Sequence, residues 1–412
     1  MSKISLAAVT AASLCFGLPA YAQNADPSLD KLPPGPERQM LQRACTSCHT
    51  LERVAAGDHD RNEWNLVVDG MVNVGAPLTP EEIPQLKAYL AKIPAQKDPV
   101  LKVIPGPVKV TIKEWQVPTS GSRPHDPLAM ADGSLWYTGH RASVLGRLDP
   151  ATGKITEFKT RIPASGPHGL AADTQGNVWF TGNFKGYIGK LDPKTGQVTE
   201  YRMPDPAARD PHTPLFDKTG NLWFTVQGGN MVGRLDPKSG EIKLVTMPTP
   251  RSLPYGMVVN SKNLMFFDMF GTNKMASIDS NMKVTEYALP NAASRPRRIA
   301  ITSDDAIWYS DFSRGYIGRL DPATGKVTEW ASPSGPKSEP YGIAVIDDII
   351  WYVEANAKPN GLVRFDPKTQ AFQSFPIPSG GGVVRNMMPT TDGKGLVMAL
   401  SAQDKVGIAT IQ

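Results

Sequence analysis

Cys45, Cys48 and His49 form a Cys-x-x-Cys-His run. At that spacing two thiols can each form a thioether to a haem vinyl group while the adjacent imidazole takes the iron from one face. Zinc ligation or a redox dithiol can start from the same Cys-x-x-Cys core. A zinc site would need two further Cys or His ligands nearby, and the one other cysteine, Cys15, lies in an N-terminal segment that reads as removable. The run therefore predicts a covalent haem c on Cys45 and Cys48, with His49 as an iron ligand.

Residues 1–22 carry Lys3, an apolar stretch from Ile4 to Leu18 and a small-x-small site at Ala20-Tyr21-Ala22, the pattern of a secretory signal. Cleavage after Ala22 would remove Cys15 and leave the two motif cysteines in an oxidising compartment, periplasmic or extracellular. No other stretch is apolar enough to span a bilayer, so no membrane span is expected after cleavage.

The elements that must hold the motif occupy residues 33–95. A helix over Pro36–Ala44 leads into it, with Leu41 and Ala44 facing the expected porphyrin. A second is expected over Glu63–Val74, with Asn62 as its N-cap and Trp64, Val67, Val68 and Met71 at i, i+3, i+4 and i+7. Thr79-Pro80-Glu81-Glu82 is a capping box that opens a third. The order of Cys-x-x-Cys-His, a Trp-bearing helix, Met71-x-x-x-Gly75-Ala76 and a helix ending Tyr89-Leu90-Ala91 resembles a short class I c-type cytochrome. That resemblance implies His49 as proximal ligand and Met71 as the sixth, a pairing suited to electron transfer. His59, Met40 and an open position are its rivals.

Residues 96–107 continue a Pro-rich stretch that reads as a semi-stiff linker. From 108 to 412 the sequence repeats. A Leu-Asp-Pro-x-x-Gly turn places its Asp at 149, 192, 236 and 321, with degenerate copies at Asp279 and Asp366, giving spacings of 43, 44, 43, 42 and 45. An aromatic pair keeps step, from Trp136-Tyr137 to Trp351-Tyr352. Four short β-type runs per copy, such as His168–Asp173, Val178–Asn183, Tyr187–Leu191 and Gln197–Met203, make each copy a propeller blade. Six copies are near complete. Gly382–Gln412 supplies three strands, and Val110–Pro118 matches the missing outer one. The fold class expected is mainly β: a seven-bladed β-propeller closed by its two ends, preceded by a small all-α haem domain. Closure of this kind removes an open sheet edge.

Aligned copies put His125, His168, His212, Tyr255, Arg297, Tyr341 and Arg385 at the starts of the inner strands, with His140 nearby. The ends of the second strands bring Asp268, Asp311 and Glu354 from later blades. A rim with imidazoles on one side and carboxylates on the other is equipped to bind a metal or to hold acid and base across a substrate.

The Pro-His-Gly, Trp-Phe-Thr and Ile-Gly-(Arg/Lys)-Leu repeats resemble the virginiamycin B (streptogramin) lyase family over residues 108–412. The resemblance implies a seven-bladed propeller that opens a cyclic depsipeptide at its ester by elimination, with Mg²⁺, a His on one late inner strand and a Glu-x-His on the next. Glu339 matches that motif. Tyr341 stands where its His would be, and Arg297 where the other His would be. A Tyr serves as a base only with a strongly lowered pKa, and an Arg does not serve.

Net charge is +5 with basic and acidic residues interspersed, which excludes a nucleic-acid footprint. Because both family histidines are replaced, haem-linked electron transfer is the first functional expectation. The propeller would then bind a redox partner protein or a small-molecule substrate. A lyase with an accessory haem, and a non-catalytic binding or sensor propeller, are the alternatives.

Overall fold

The computed structural model describes residues 27–46, 51, 54–55, 61–73, 76–94 and 98–412. The secretory signal expected over 1–22, and Cys48, His49 and His59, lie outside the described residues. Ahead of the β-structure the described residues include the helices α1 (Glu37–Cys45), α2 (Arg61–Asn73) and α3 (Glu82–Leu90). Among the described residues no helix is long and apolar enough to cross a membrane.

The helices bury one cluster, centred on Leu41, Trp64, Val68, Leu86, Tyr89 and Leu90, so their apolar faces turn toward one another. The capping box forms at α3: the Thr79 amide donates to Glu82 Oε2 at 2.9 Å and the Glu82 amide to Thr79 Oγ1 at 3.3 Å. Asn62 is different from the expectation. It falls inside α2 rather than capping it, because the helix begins at Arg61.

The Pro-rich stretch after the helices is pinned to the propeller. The Leu101 amide donates to Lys358 O at 3.3 Å, and the Ile104 amide donates to Ser374 Oγ at 2.8 Å. Leu101 itself is buried.

Seven four-stranded antiparallel sheets follow. The last contains Val110–Gln116 paired with Lys405–Ile411, from Val110↔Ile411 to Gln116↔Lys405. The two chain ends therefore share one blade, and the ring has no open edge there. The repeat markers have packing reasons. Gly189 faces Phe180 across the strand pair, and a Cβ on it would lie 2.1 Å from the ring. Gly146 and Tyr137 stand in the same relation. The tryptophan of the aromatic pair packs outward on the next marker: Trp179 stacks on Tyr201 with centroids 5.5 Å apart, and its Nε1 donates to Asp173 Oδ2 at 2.9 Å. Asp149 accepts from the Ala151 amide at 2.9 Å, and Gly153 takes φ 75°. This is why the turn requires Asp at its start and Gly at its end.

Candidate functional site

Each of the seven inner strands carries a register shift within its first residues, between Pro124 and Pro127, Pro167 and Leu170, Pro211 and Pro214, Pro254 and Met257, Pro296 and Ile299, Pro340 and Ile343, and Val384 and Met387. A bulge re-aims the side chains at its position. Here it turns His125, His168, His212, Tyr255, Arg297, Tyr341 and Arg385 into one cavity of about 630 Å³ at the channel mouth. Leu41, Ala44, Cys45, Trp64, Val68 and Met71 line the opposite wall of the same cavity. Arg251 Nη1 donates to Thr46 O at 3.3 Å and ties the helices to the rim.

One side of the ring is a ladder of neutral rings. The centroids of His125 and His168, His168 and His212, and His212 and Tyr255 are each 3.8 Å apart. Burial holds all three imidazoles, and His140, well below the usual histidine pKa, and neighbouring histidines or arginines push them further. The Asp126 carboxylate sets the tautomer of His125, whereas the Thr213 hydroxyl beside His212 can donate or accept. His125 Nδ1 bonds Asp126 Oδ1 at 2.8 Å and His212 Nδ1 bonds Thr213 Oγ1 at 2.9 Å. A neutral imidazole that donates from Nδ1 leaves Nε2 as the acceptor. His140 is the reverse case, because Arg123 Nη1 lies 3.3 Å from its Nδ1.

The other side is cationic and aromatic. The Arg297 guanidinium sits 4.0 Å from the Tyr341 ring centroid, 4.2 Å from Phe312 and 4.6 Å from Phe270. The hydroxyls of Tyr255 and Tyr341 hydrogen-bond to each other. Burial alone would raise the Tyr341 phenol, but Arg297, followed by Arg385 and Arg298, brings it down to about 8. Tyr255 is pushed up, by burial and by the charge on Tyr341.

The floor is sealed by a cross-channel network one residue further along the inner strands. Arg298 Nη2 meets Asp126 Oδ1 at 2.8 Å, its Nη1 donates to Thr213 Oγ1 at 3.1 Å, and Asn386 Nδ2 donates to Asp126 Oδ2 at 3.0 Å. His125, Asp126 and His168 bring ligand atoms within 4.8 Å of one another. That cluster does not suit Mg²⁺, which takes oxygen ligands. Two of its three members are imidazoles, and both Asp126 oxygens are already engaged.

The carboxylates expected opposite the histidines lie elsewhere; none of the three lines the cavity. Asp268 is one residue out of the expected register. Pro254 pairs with Met269, as Pro296 pairs with Asp311, so Met269 holds the strand end. Asp268 falls in line with Thr138, Thr181, Thr225 and Ser310 and accepts the Gly256 amide at 2.8 Å, bracing a bulge as they do. Asp311 accepts the Arg295 amide and pairs with Arg314, both at 3.0 Å. Glu354 accepts from Ser332 Oγ at 2.6 Å and the Ser334 amide at 2.8 Å. Asp311 and Glu354 hold loops in place; Asp268 is fully buried and keeps Oδ2 without a partner among the described residues.

Of the residues before the inner-strand prolines, sequence reasoning singled out Glu339 and missed Arg123, Asp210 and Leu253. Arg123, Asp210, Leu253 and Glu339 take φ between 50° and 62° and all four line the cavity. Left-handed backbone at non-glycine residues is strained and concentrates at functional sites. Burial raises the Asp210 carboxyl to about 7, while Asn183, which donates to it, opposes the shift. Reading the position before each repeat's proline, rather than after it, would have found the three missed residues.

For the helical wall, the fit to a c-type haem rests on what lines it. Leu41, Ala44, Val54, Trp64, Val67, Val68, Leu86 and Leu90 supply apolar surface, with Cys45 and Met71 among them. Residues of these kinds suit a porphyrin face, one thioether and one axial sulfur.

The family model for the virginiamycin B lyase family matches residues 107–269 and 255–412. A streptogramin B lyase structure is 28% identical, covering 74% of this chain and 98% of its own, with a TM-score of 0.68. Virginiamycin B lyase from Staphylococcus aureus is 26% identical over 73% of this chain and 99% of its own, TM-score 0.67. A catalytically inactive histidine-to-alanine form of the Staphylococcus aureus enzyme with quinupristin is 27% identical over the same shares, TM-score 0.67. Among curated proteins none matches this sequence.

Proposed function

We propose a function for this chain from the premise that it belongs to the virginiamycin B lyase family. The propeller mouth is a proton-abstracting site for an elimination that breaks a C–O bond, and Tyr341 is its base. The observation that carries this reading is the Tyr341 phenol at about 8, beside Glu339 and under Arg297. A base works best with a pKa near the operating pH. The tyrosinate would remove a proton from the carbon next to a carbonyl, the freed electron pair would become a C=C bond, and the C–O bond would break so that the oxygen leaves as a carboxylate. Arg297 would stabilise the negative charge that develops on the carbonyl oxygen.

The test uses quinupristin, the compound bound to the inactive family member. Incubation in heavy water is followed by mass spectrometry and ultraviolet absorbance. Elimination opens the ring with no added water and creates a conjugated alkene; hydrolysis would add one water. Ring opening that is lost in Tyr341→Phe supports the reading. An unchanged rate in Tyr341→Phe, or neither ring opening nor deuterium uptake in the wild type, sinks it.

A second reading concerns the helical wall and is favoured by one observation: Cys45 and Met71 line the cavity that Tyr341 lines. We propose that residues 33–95 are a haem domain, joined by 96–107 to the propeller at 108–412, in an exported electron-transfer protein. Cys45 and Cys48 would hold a haem c, with His49 and Met71 as axial ligands. When bound, that group supplies one-electron transfer. Leu41, Trp64 and Val68 would exclude water from its face. Expression with a cytochrome-maturation system followed by a pyridine haemochrome spectrum tests it, and no haem band sinks it.

A further inference from the structure

The cavity holds positive charge that its own carboxylates do not neutralise. Arg297 is 8% exposed, and neither its Nε nor its Nη1 has a partner among the described residues. The same is true of Arg385 Nε, and Arg385 lies 6.0 Å from the ring of Tyr341. Arg297 and Arg385 therefore flank the one phenol with donors to spare. Arg123 also lines the cavity, with its Nη1 3.3 Å from His140 Nδ1.

The acids in the lining do not balance these groups. Asp98 lies 3.7 Å from Lys358, and Asp210 is held by Asn183. Glu339 remains as the carboxylate whose charge Arg297 feels. Around Tyr341, Arg297 and Arg385 face Glu339 alone, which leaves an excess of positive charge next to an apolar wall. A buried charge without a counter-ion costs several kcal/mol, and guanidinium forks match carboxylates in a bidentate geometry.

We propose that Arg297, Arg385 and Arg123 form a binding site for the carboxylate of an organic ligand, seated over Tyr341. This names the ligand class for the cavity and rests on the reading of that cavity as a substrate site. It also separates this chain from a catalyst built only for neutral cyclic esters. One carboxylate chemistry has two sources here: a free substrate acid, or the propionates of a haem on the helical wall.

Isothermal titration with succinate, and with its neutral analogue succinamide, tests the site in the full-length protein. Two forms are compared: protein matured with haem, and the Cys45→Ser/Cys48→Ser variant. Succinate binding in both forms, without succinamide binding, supports a free acid as ligand. Binding in the variant alone supports haem propionates as the occupant. Absence of succinate binding in both forms overturns the proposal. Arg297→Gln should weaken succinate at least tenfold. Arg385→Gln, at a less buried position, should weaken it severalfold and serves as the second variant if Arg297→Gln does not fold. Unchanged affinity in both variants, with circular dichroism like the wild type, also overturns it. Binding is read without turnover, so succinate bound normally by a protein whose quinupristin turnover is unchanged in Tyr341→Phe fails the elimination reading alone. Loss of succinate binding with quinupristin turnover intact fails this one alone.

Discussion

Replacing Arg297 by Gln should move the titration of Tyr341, and the size of the move follows from the structure. A tyrosine in water titrates near 10. Tyr341 lies at about 8 although it is buried, and burial by itself raises a phenol. The arginines must therefore outweigh burial and then lower the pKa by a further two units, roughly 3 kcal/mol in favour of the tyrosinate at 1.36 kcal/mol per unit. Arg297 is the first of them, 4.0 Å from the ring centroid. Without it the burial cost is opposed by Arg385, Arg298 and the hydrogen bond with Tyr255, and the pKa should rise toward 10. The assay is ultraviolet difference absorbance at the tyrosinate band during a pH titration. Tyr89, Tyr137, Tyr187, Tyr201, Tyr255, Tyr309 and Tyr352 are all pushed up by burial, so they stay silent near pH 8. The wild type should show about one tyrosinate appearing near pH 8, absent from Tyr341→Phe and shifted upward in Arg297→Gln. The sign for stability is that of a depressed acid. The contribution is fully present above pH 10 and is lost as pH falls through 8. A step near pH 8 that persists in Arg297→Gln would refute the electrostatic account of Tyr341.

Three further outcomes follow from the same contacts. Turnover by the propeller, read as kcat/KM against pH, should rise through an apparent pKa of about 8 and level off above it, and a profile flat from pH 6 to 10 would exclude Tyr341 as the base. Gly189→Ala forces a Cβ into the Phe180 ring and should cost about 1–3 kcal/mol of stability as an overpacking change, read as a lower urea midpoint with an unchanged slope. Deleting residues 110–116 strips the outer strand from the last blade and exposes Lys405–Ile411 as an edge, so size-exclusion chromatography should show association that the full chain does not.

The propeller was legible because its period is enforced at every blade by local physics. The Asp that opens the turn in six copies, the glycine under the aromatic ring in most of them and the strand donated from residues 110–116 all leave marks in the sequence. The inner ring was legible for the same reason, since each member follows a repeat position. What failed was register within a copy. Asp268 looked like a strand-end carboxylate because the fourth copy carries Met265-Phe266-Phe267 where the others carry an aromatic pair, and the pairing of Pro254 with Met269 is a three-dimensional fact. Asp311 and Glu354 were placed correctly along the strand but given the wrong task. Sequence shows a carboxylate at a strand end; it does not show that Arg314 or Ser332 already occupies it. The lowered pKa of Tyr341 was invisible for a related reason: its cause comes from blades whose inner strands are tens of residues away.

The asymmetry of the ring constrains how any ligand must lie. Seven equivalent bulges project side chains into one mouth, yet His125, His168 and His212 are neutral while Arg297 and Arg385 carry charge. A ligand with one anionic end gains from placing it toward Tyr341 and leaving its neutral part on the imidazole ladder, where His168 Nδ1 and His140 Nε2 have no partner among the described residues. The reverse orientation would put an anion against the lone pairs of those imidazoles and leave the guanidiniums unpaired, losing on both sides. The two arginines that would hold the anion are thus the same two whose charges most lower the Tyr341 phenol, so ligand binding and the state of the base are coupled through Arg297 and Arg385.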